Sequence, residues 1–270
     1  MTLSHVAKEV AKAVLPQRLA VSIQSCRSRR YIKHLLWKSG HAAAALDLAR
    51  ICGYKVLHGP FQGLLYSAEA LISTCGVPIL LGTYELELHK IIDSISPGRY
   101  ERIIDVGCAE GYYAVGLARN TGADVYAFDA ALPEQTLCRE LARLNGVEGR
   151  VIVSGWCDQS ALCRLAVGRS LIISDCEGYE SQLFSLDVVP RLRMADLIIE
   201  LHETDGTRRV EQAILQRFSD SHRTELVSFS PEVINPVFLG ELERVPNCRR
   251  YLREDRQRDQ RWVHLETRSL

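Results

Sequence analysis

No stretch of this 270-residue chain is apolar for long enough to cross a bilayer. A span needs about 18 to 20 such residues, whereas the longest runs here, Gly76–Gly82 and Asp196–Leu201, have the size of buried core segments. The opening stretch Met1–Leu15 interleaves Lys8, Glu9 and Lys12 with its apolar residues, so it lacks the apolar block and small-residue cleavage site of a secretory leader. The expected location is the cytoplasm. Nine cysteines are scattered from Cys26 to Cys248 without one Cys-x-x-Cys pair, which excludes a zinc ribbon or a disulfide frame and fits reduced thiols in a core. Internal repeats and low-complexity tracts are missing as well.

Net charge is also absent, with 33 basic against 33 acidic residues, but the balance is uneven along the chain. Residues 1–40 carry eight Lys or Arg against the single acid Glu9, and the remainder carries 25 basic against 32 acidic groups. A basic front end is the footprint of an anionic membrane surface or nucleic acid. The stripe Leu3, Val6, Val10, Val14 favours the other reading, the solvated face of a docking helix.

What is present is ordinary globular material: 47% hydrophobic and 24% charged residues, enough for one α/β domain with extensions. Residues 1–52 read as helical, with a break near Pro16 and an alanine-rich helix over His41–Ile51 that Gly53 stops. Glycines and prolines between Tyr54 and Leu81 predict a small hairpin or irregular lid, and helical spacing resumes over Tyr84–Ile95 with Thr83 as its cap. We therefore expect an N-terminal extension and lid over residues 1–82 and a main domain over 83–270.

From Arg102 onward strands and helices alternate. Strands are predicted at Arg102–Val106, Asp124–Phe128, Arg150–Val153, Ser170–Ser174, Asp196–Leu201 and Glu225–Phe229. Helices are predicted at Tyr112–Arg119, Pro133–Leu144, Tyr179–Leu186 and Thr207–Phe218. That rhythm specifies an α/β, doubly wound, Rossmann-like parallel sheet. Residues 231–258 interrupt it with Pro231, Pro236 and an Arg-rich stretch, and Trp262–Glu266 returns as a final strand.

The first strand, Ile103-Ile104-Asp105-Val106, ends in the turn Gly107-Cys108-Ala109-Glu110-Gly111 and opens a helix at Tyr112-Tyr113. The spacing Gly-x-x-x-Gly departs from the Gly-x-Gly-x-x-Gly of a dinucleotide pyrophosphate turn, which disfavours an NAD-dependent oxidoreductase. Asp129 closes the second strand, where an acid receives both hydroxyls of a ribose. Asp105 beside the turn suits a ligand ammonium and opposes a pyrophosphate. Turn, ribose acid and ammonium acid together describe S-adenosylmethionine. After the third strand, Trp156-Cys157-Asp158 stands where adenine is expected, though Asp158 is equally an ordinary loop aspartate.

The fourth strand delivers Asp175-Cys176-Glu177-Gly178-Tyr179-Glu180, with Glu177 and Glu180 three apart on one helical face, and the fifth delivers Glu200 and His202. Such a cluster deprotonates a hydroxyl or holds a hard divalent cation such as Mg²⁺ around Asp175, Glu177 and Glu200. The Asn/Asp-Pro-Pro-aromatic loop of enzymes that methylate planar nitrogens is missing, which points to an oxygen nucleophile.

These residues carry a resemblance. Asp105-Val106-Gly107 with Gly111-Tyr112-Tyr113, then Asp175-x-Glu177-Gly178-x-Glu180, the Glu200 strand and the upstream Gly82-Thr83-Tyr84-Glu85, resemble the FkbM-type family of class I S-adenosylmethionine-dependent methyltransferases over about residues 56–230. Where that family's glycine turn usually has asparagine, this chain has Ala109. The resemblance implies a seven-stranded sheet with an antiparallel last strand, and O-methylation of a hydroxyl on a sugar, glycan or polyketide-like acceptor. It adds Glu85, Cys108, Tyr112, Ala130 and Cys157 to Asp105, Gly107, Gly111, Asp129 and Asp158 as expected cofactor contacts. Asp175, Glu177, Glu200 and His202 are the expected catalytic set. A non-catalytic nucleoside-fold protein that binds an anionic partner through residues 1–40 is the competing expectation.

Overall fold

The computed structural model describes residues 35–72, 75–203, 206–228, 251 and 261–268. The expected break at Pro16, the stripe from Leu3 to Val14, and nearly all of the expected insertion over 231–258 lie outside the described residues.

Seven strands form one sheet: β1 Arg102–Val106, β2 Asp124–Phe128, β3 Val151–Ser154, β4 Ser170–Ser174, β5 Ala195–Leu201, β6 His222–Ser228 and β7 Arg261–Thr267. Their order is β3-β2-β1-β4-β5-β7-β6. The first five run parallel, and β7 is antiparallel to both β5 and β6. The expected fold class is therefore the observed one. Strands β4 and β5 are buried along their whole length, which is why they read as unbroken apolar runs.

The alternating side chains of these strands divide between two cores. Ile103, Val125, Leu171, Ile173 and Ile198 join the helix His41–Cys52, the lid around Phe61 and Leu64, and the helix Tyr112–Thr121 on one face. Ile104, Ile172, Leu197 and Ile199 pack with Leu162, Leu183, Ile214 and Phe218 on the other. From β1 the chain winds outward through β2 and β3, then crosses back to β4 on the opposite side of β1. In doubly wound sheets such a reversal marks the crevice, beyond the carboxyl ends of the strands (here β1 and β4), where ligands bind.

Local differences from the sequence reading have identifiable causes. The lid holds one isolated bridge, Lys55 to Leu65, and Gly76–Leu81 inside it is a helix stopped by the left-handed Gly82. Thr83 does not cap the next helix: it is buried and its hydroxyl donates back to Pro78 O at 3.4 Å. Glu85, at φ 51, breaks the expected helix, which resolves into a 3-10 turn Leu86–Leu88 and the helix His89–Asp93. The expected helix from Tyr179 shrinks to Glu180–Leu183. A helix over Gln159–Leu165, which the sequence reading passes over, begins directly after Asp158. Among the described residues no helix is long and apolar enough to cross a membrane.

Candidate active site at the crevice between β1 and β4

The turn after β1 is built by backbone bonds to β2. Gly107 N and Cys108 N both donate to Phe128 O, at 2.8 and 2.9 Å. Asp129 then closes the turn with its side chain: Oδ2 accepts the Ala109 N–H at 3.1 Å and Oδ1 the Ala131 N–H at 2.7 Å. The carboxylate thus faces the glycine turn, as the sequence reading requires. Ala130 lies half-buried between these two anchors. Ala109 itself is held at φ 47, a left-handed conformation that costs an alanine about 1 to 2 kcal/mol.

The glycines also have a packing cause. A Cβ on Gly107 would meet the Asp175 carbonyl oxygen at 1.7 Å, and one on Gly111 would meet Cys138 Sγ at 2.9 Å. Asp105, 3% exposed, accepts the Ala114 N–H and so anchors the first turn of the helix Tyr112–Thr121. Its Oδ2 is buried with no hydrogen-bond partner among the described residues. Burial first, and the charge of Asp175 second, push this carboxyl up to about 8.

Other expected cofactor contacts divide between the turn and the core. The Cys108 thiol is buried and raised well above the usual thiol range, chiefly by its hydrogen bond with Cys138. The Tyr112 ring is a core side chain, edge-on to Phe61 at 4.9 Å and to Tyr84 at 5.1 Å. Glu85 is buried and accepts the Tyr113 hydroxyl; its charge acts on Asp175, so it belongs to the β4 end of the crevice. Cys157 is buried, its thiol pushed up to about 12 by burial and then by Asp158. Asp158 caps the helix Gln159–Leu165 by accepting the Ala161 N–H at 2.8 Å. Trp156 stands beside Tyr179, ring centroids 4.6 Å apart. Tyr179 and the buried Glu110, whose Oε1 accepts the lid's Tyr66 hydroxyl at 3.4 Å, are two neighbours that the sequence reading leaves unassigned.

The acids expected at the ends of β4 and β5 do converge. Ser174 pairs with Ile199, so one step further Asp175 stands beside Glu200 on the neighbouring strand. His202 closes the group: Nε2 lies 3.5 Å from Asp175 Oδ1 and 3.7 Å from Glu177 Oε2 and Glu200 Oε2, while Nδ1 lies 2.7 Å from Glu180 Oε1. Burial works to lower the ring's proton affinity, but the bond to Glu180 and the charges of Asp175, Glu180 and Glu177 prevail and raise it to about 9. Asp175 is raised to about 6 by burial, against the opposing pull of His202.

One expectation is corrected. Glu177 and Glu180 do not share a helical face, because Glu177 is left-handed at φ 54 and the helix begins only at Glu180. The Glu177 side chain is 85% exposed at the rim, whereas that of Glu180 is 0% exposed. Atoms of Asp175, Glu200 and His202 lie within 4.8 Å of one another, close enough to share a divalent cation.

No family model matches the chain, and no curated protein matches it. Solved structures do. A geranyl diphosphate C-methyltransferase from Streptomyces coelicolor A3(2), complexed with Mg²⁺, geranyl diphosphate and S-adenosyl-L-homocysteine, is 13% identical over 84% of this chain and 98% of its own, with a TM-score of 0.45. Precorrin 8W decarboxylase of Methanobacterium thermoautotrophicum is 13% identical over 67% and 89%, at 0.45. An rRNA methylase from Streptococcus thermophilus is 13% identical over 63% and 89%, at 0.41. Likenesses at this level carry no conclusion about activity, and the FkbM-type resemblance rests on its motifs alone. The architecture stands on the strand order itself.

Proposed function

We propose that this chain is an S-adenosylmethionine-dependent methyltransferase that acts on a hydroxyl oxygen of a sugar, glycan or polyketide-like acceptor. The observation that supports the reading is Asp129, whose carboxylate is tied to the glycine turn at Ala109, at the end of the second strand, where sheets of this kind carry the acid for a ribose. The chemistry of the turn agrees. Asp105 and Glu110 are both buried there, and no Lys or Arg occurs between Val106 and Ala118, so the turn offers a pyrophosphate no side-chain cation and offers an ammonium two carboxyl groups. The orphaned Asp105 Oδ2 is matched by such a group.

When bound, S-adenosylmethionine supplies a methyl group already activated by a sulfonium. Asp129 would receive its ribose hydroxyls, Asp105 its amino-acid end, and Cys157 and Asp158 its adenine. The protein's main task is alignment of two reactants, an effect that reaches about 7 to 11 kcal/mol. Asp175 takes the acceptor's proton: it adjoins the Gly107 turn and its side chain is 35% exposed, while Glu180 and Glu200 are sealed behind it. Removing that proton contributes roughly 10²- to 10⁴-fold. His202 supplies the opposing charge among the acids.

The test is calorimetry with S-adenosyl-L-homocysteine, together with transfer of labelled methyl groups from S-adenosylmethionine into pools of hydroxyl-bearing acceptors. Saturable binding and base-stable label on oxygen support the reading. Absence of binding, or preferential binding of a nicotinamide dinucleotide, overturns it. A second reading, in which Asp175, Glu200 and His202 share a divalent cation that polarises the acceptor, is favoured by their 4.8 Å spacing. Turnover that is unchanged after chelation excludes it.

A further inference from the structure

Glu180 is a carboxylate with no exposure at all, a placement that is costly unless the charge has a purpose and partners. It has two. Its Oε1 accepts from Gly178 N at 3.1 Å and meets His202 Nδ1 at 2.7 Å. One oxygen therefore ties the left-handed loop Glu177-Gly178, which follows β4, to a ring delivered by β5. The two ring nitrogens are thereby made unequal. Nδ1 is committed to Glu180, whereas Nε2 stands 3.5 to 3.7 Å from oxygens of Asp175, Glu177 and Glu200 and makes no hydrogen bond to any of them among the described residues. An imidazole held through one nitrogen by a buried carboxylate presents the other nitrogen in a fixed direction.

We infer that Glu180 is the positioning residue of the acceptor end: it fixes the His202 ring through Nδ1, so that Nε2 is the nitrogen turned toward Asp175, Glu200 and the acceptor. This rests on the methyltransferase reading for its consequence, but the geometry itself is tested independently. Glu180 touches no reacting atom. It acts through His202. Without it, His202 Nδ1 loses its short partner and the ring is free to turn its other edge to the acids.

The decisive experiment uses the full chain labelled with ¹⁵N in its histidines. A proton on Nδ1 that faces a carboxylate at 2.7 Å gives a resonance far downfield, assigned by its loss in His202→Gln. In Glu180→Gln, which keeps the shape of the buried side chain, that resonance is expected to move upfield or vanish while S-adenosyl-L-homocysteine binds with the same affinity. Methyl transfer is expected to fall through kcat, by roughly 10²-fold or more, with KM for S-adenosylmethionine unmoved. Because Glu180 acts through His202, the double variant is expected to be no slower than His202→Gln alone. An unchanged downfield resonance in Glu180→Gln overturns the inference, as does a double variant slower than His202→Gln by the full factor of the single change. Failure of the wild-type chain to bind S-adenosyl-L-homocysteine strikes the methyltransferase reading instead, and the resonance still decides the role of Glu180.

Discussion

Asp129 and Ala109, twenty positions apart, are joined by a 3.1 Å hydrogen bond from the alanine N–H to Oδ2 of the carboxylate. The bond makes the turn part of a fixed cradle, because the other carboxylate oxygen is held by Ala131 N–H at the start of the next helix. Asp129 thus has a structural and a ligand-facing duty, and its removal affects both. Asp129→Ala is expected to lower stability by about 1 to 3 kcal/mol, the cost of leaving buried N–H groups unpaired. It is also expected to weaken S-adenosyl-L-homocysteine by roughly 10- to 100-fold, since hydrogen bonds to charged groups contribute about 1.5 to 3 kcal/mol. Urea unfolding and calorimetry separate the two effects. Full affinity in the variant removes Asp129 from the ribose site.

Asp105 gives a prediction in which stability and binding move in opposite directions. Burial and then Asp175 raise its carboxyl to about 8 in the folded chain, against about 4 when unfolded. The sign follows from which state releases its proton first. As pH rises above about 4 the unfolded chain ionises while the folded one does not, so this group takes stability away progressively until about pH 8 and no more beyond it. Asp105→Asn removes that slope, and the variant is expected to gain on the wild type across this window, most at its upper end. Donor binding is expected to fall, because the ammonium loses its carboxylate. Denaturant midpoints measured at several pH values in the ligand-free protein give the check; equal slopes for the two proteins contradict the burial account.

The central fold was legible because its physics is local. Ser170–Ser174 and Asp196–Leu201 are short apolar runs between turn signals, and both are strands with nearly those limits. The acids at their ends were legible for the same reason: a strand tip fixes the position of the next residue or two. Depth was not legible. Glu177 and Glu180 look alike in sequence, yet one lies at the rim and the other is sealed, because a left-handed pair at 177 and 178 delays the helix. The helix within the lid was not legible because Gly76 and Pro78, which read as breakers, stand in its first turn, where a missing N–H removes no helical bond, and all six of its residues are buried. Tyr112, read as a cofactor contact, spends its ring on Phe61 and Tyr84, and no local signal separates those two uses.

Gly107 has no room for a side chain. Its φ of 87 strains any other residue, and a Cβ would stand 1.7 Å from the Asp175 carbonyl oxygen, where backbone and not a movable side chain blocks it. Gly107→Ala must therefore push β1 and β4 apart at the crevice. The expected loss is about 3 kcal/mol or more, the range of overpacking combined with backbone strain. Donor affinity falls with it. A thermal midpoint within a degree of wild type contradicts the close approach of these two segments.

Ala109 is the reverse case, a residue whose replacement relieves strain. At φ 47 an alanine bears about 1 to 2 kcal/mol that glycine does not. Glycine returns part of this by gaining freedom in the unfolded chain, about 0.4 to 1 kcal/mol. Ala109→Gly is accordingly expected to stabilise the protein by roughly 0.5 to 1 kcal/mol, or about 1 to 2 °C for a chain of this size. Asparagine, which tolerates the left-handed region better than alanine, is expected to gain less than glycine but in the same direction. Alanine is thus the strained choice at this position. The bond from Ala109 N–H to Asp129 holds the strained conformation, so Ala109→Gly combined with Asp129→Ala is expected to lose most of the gain. Thermal unfolding of the two single variants and the double variant measures that coupling. A full gain in the double variant shows that the strain does not depend on Asp129.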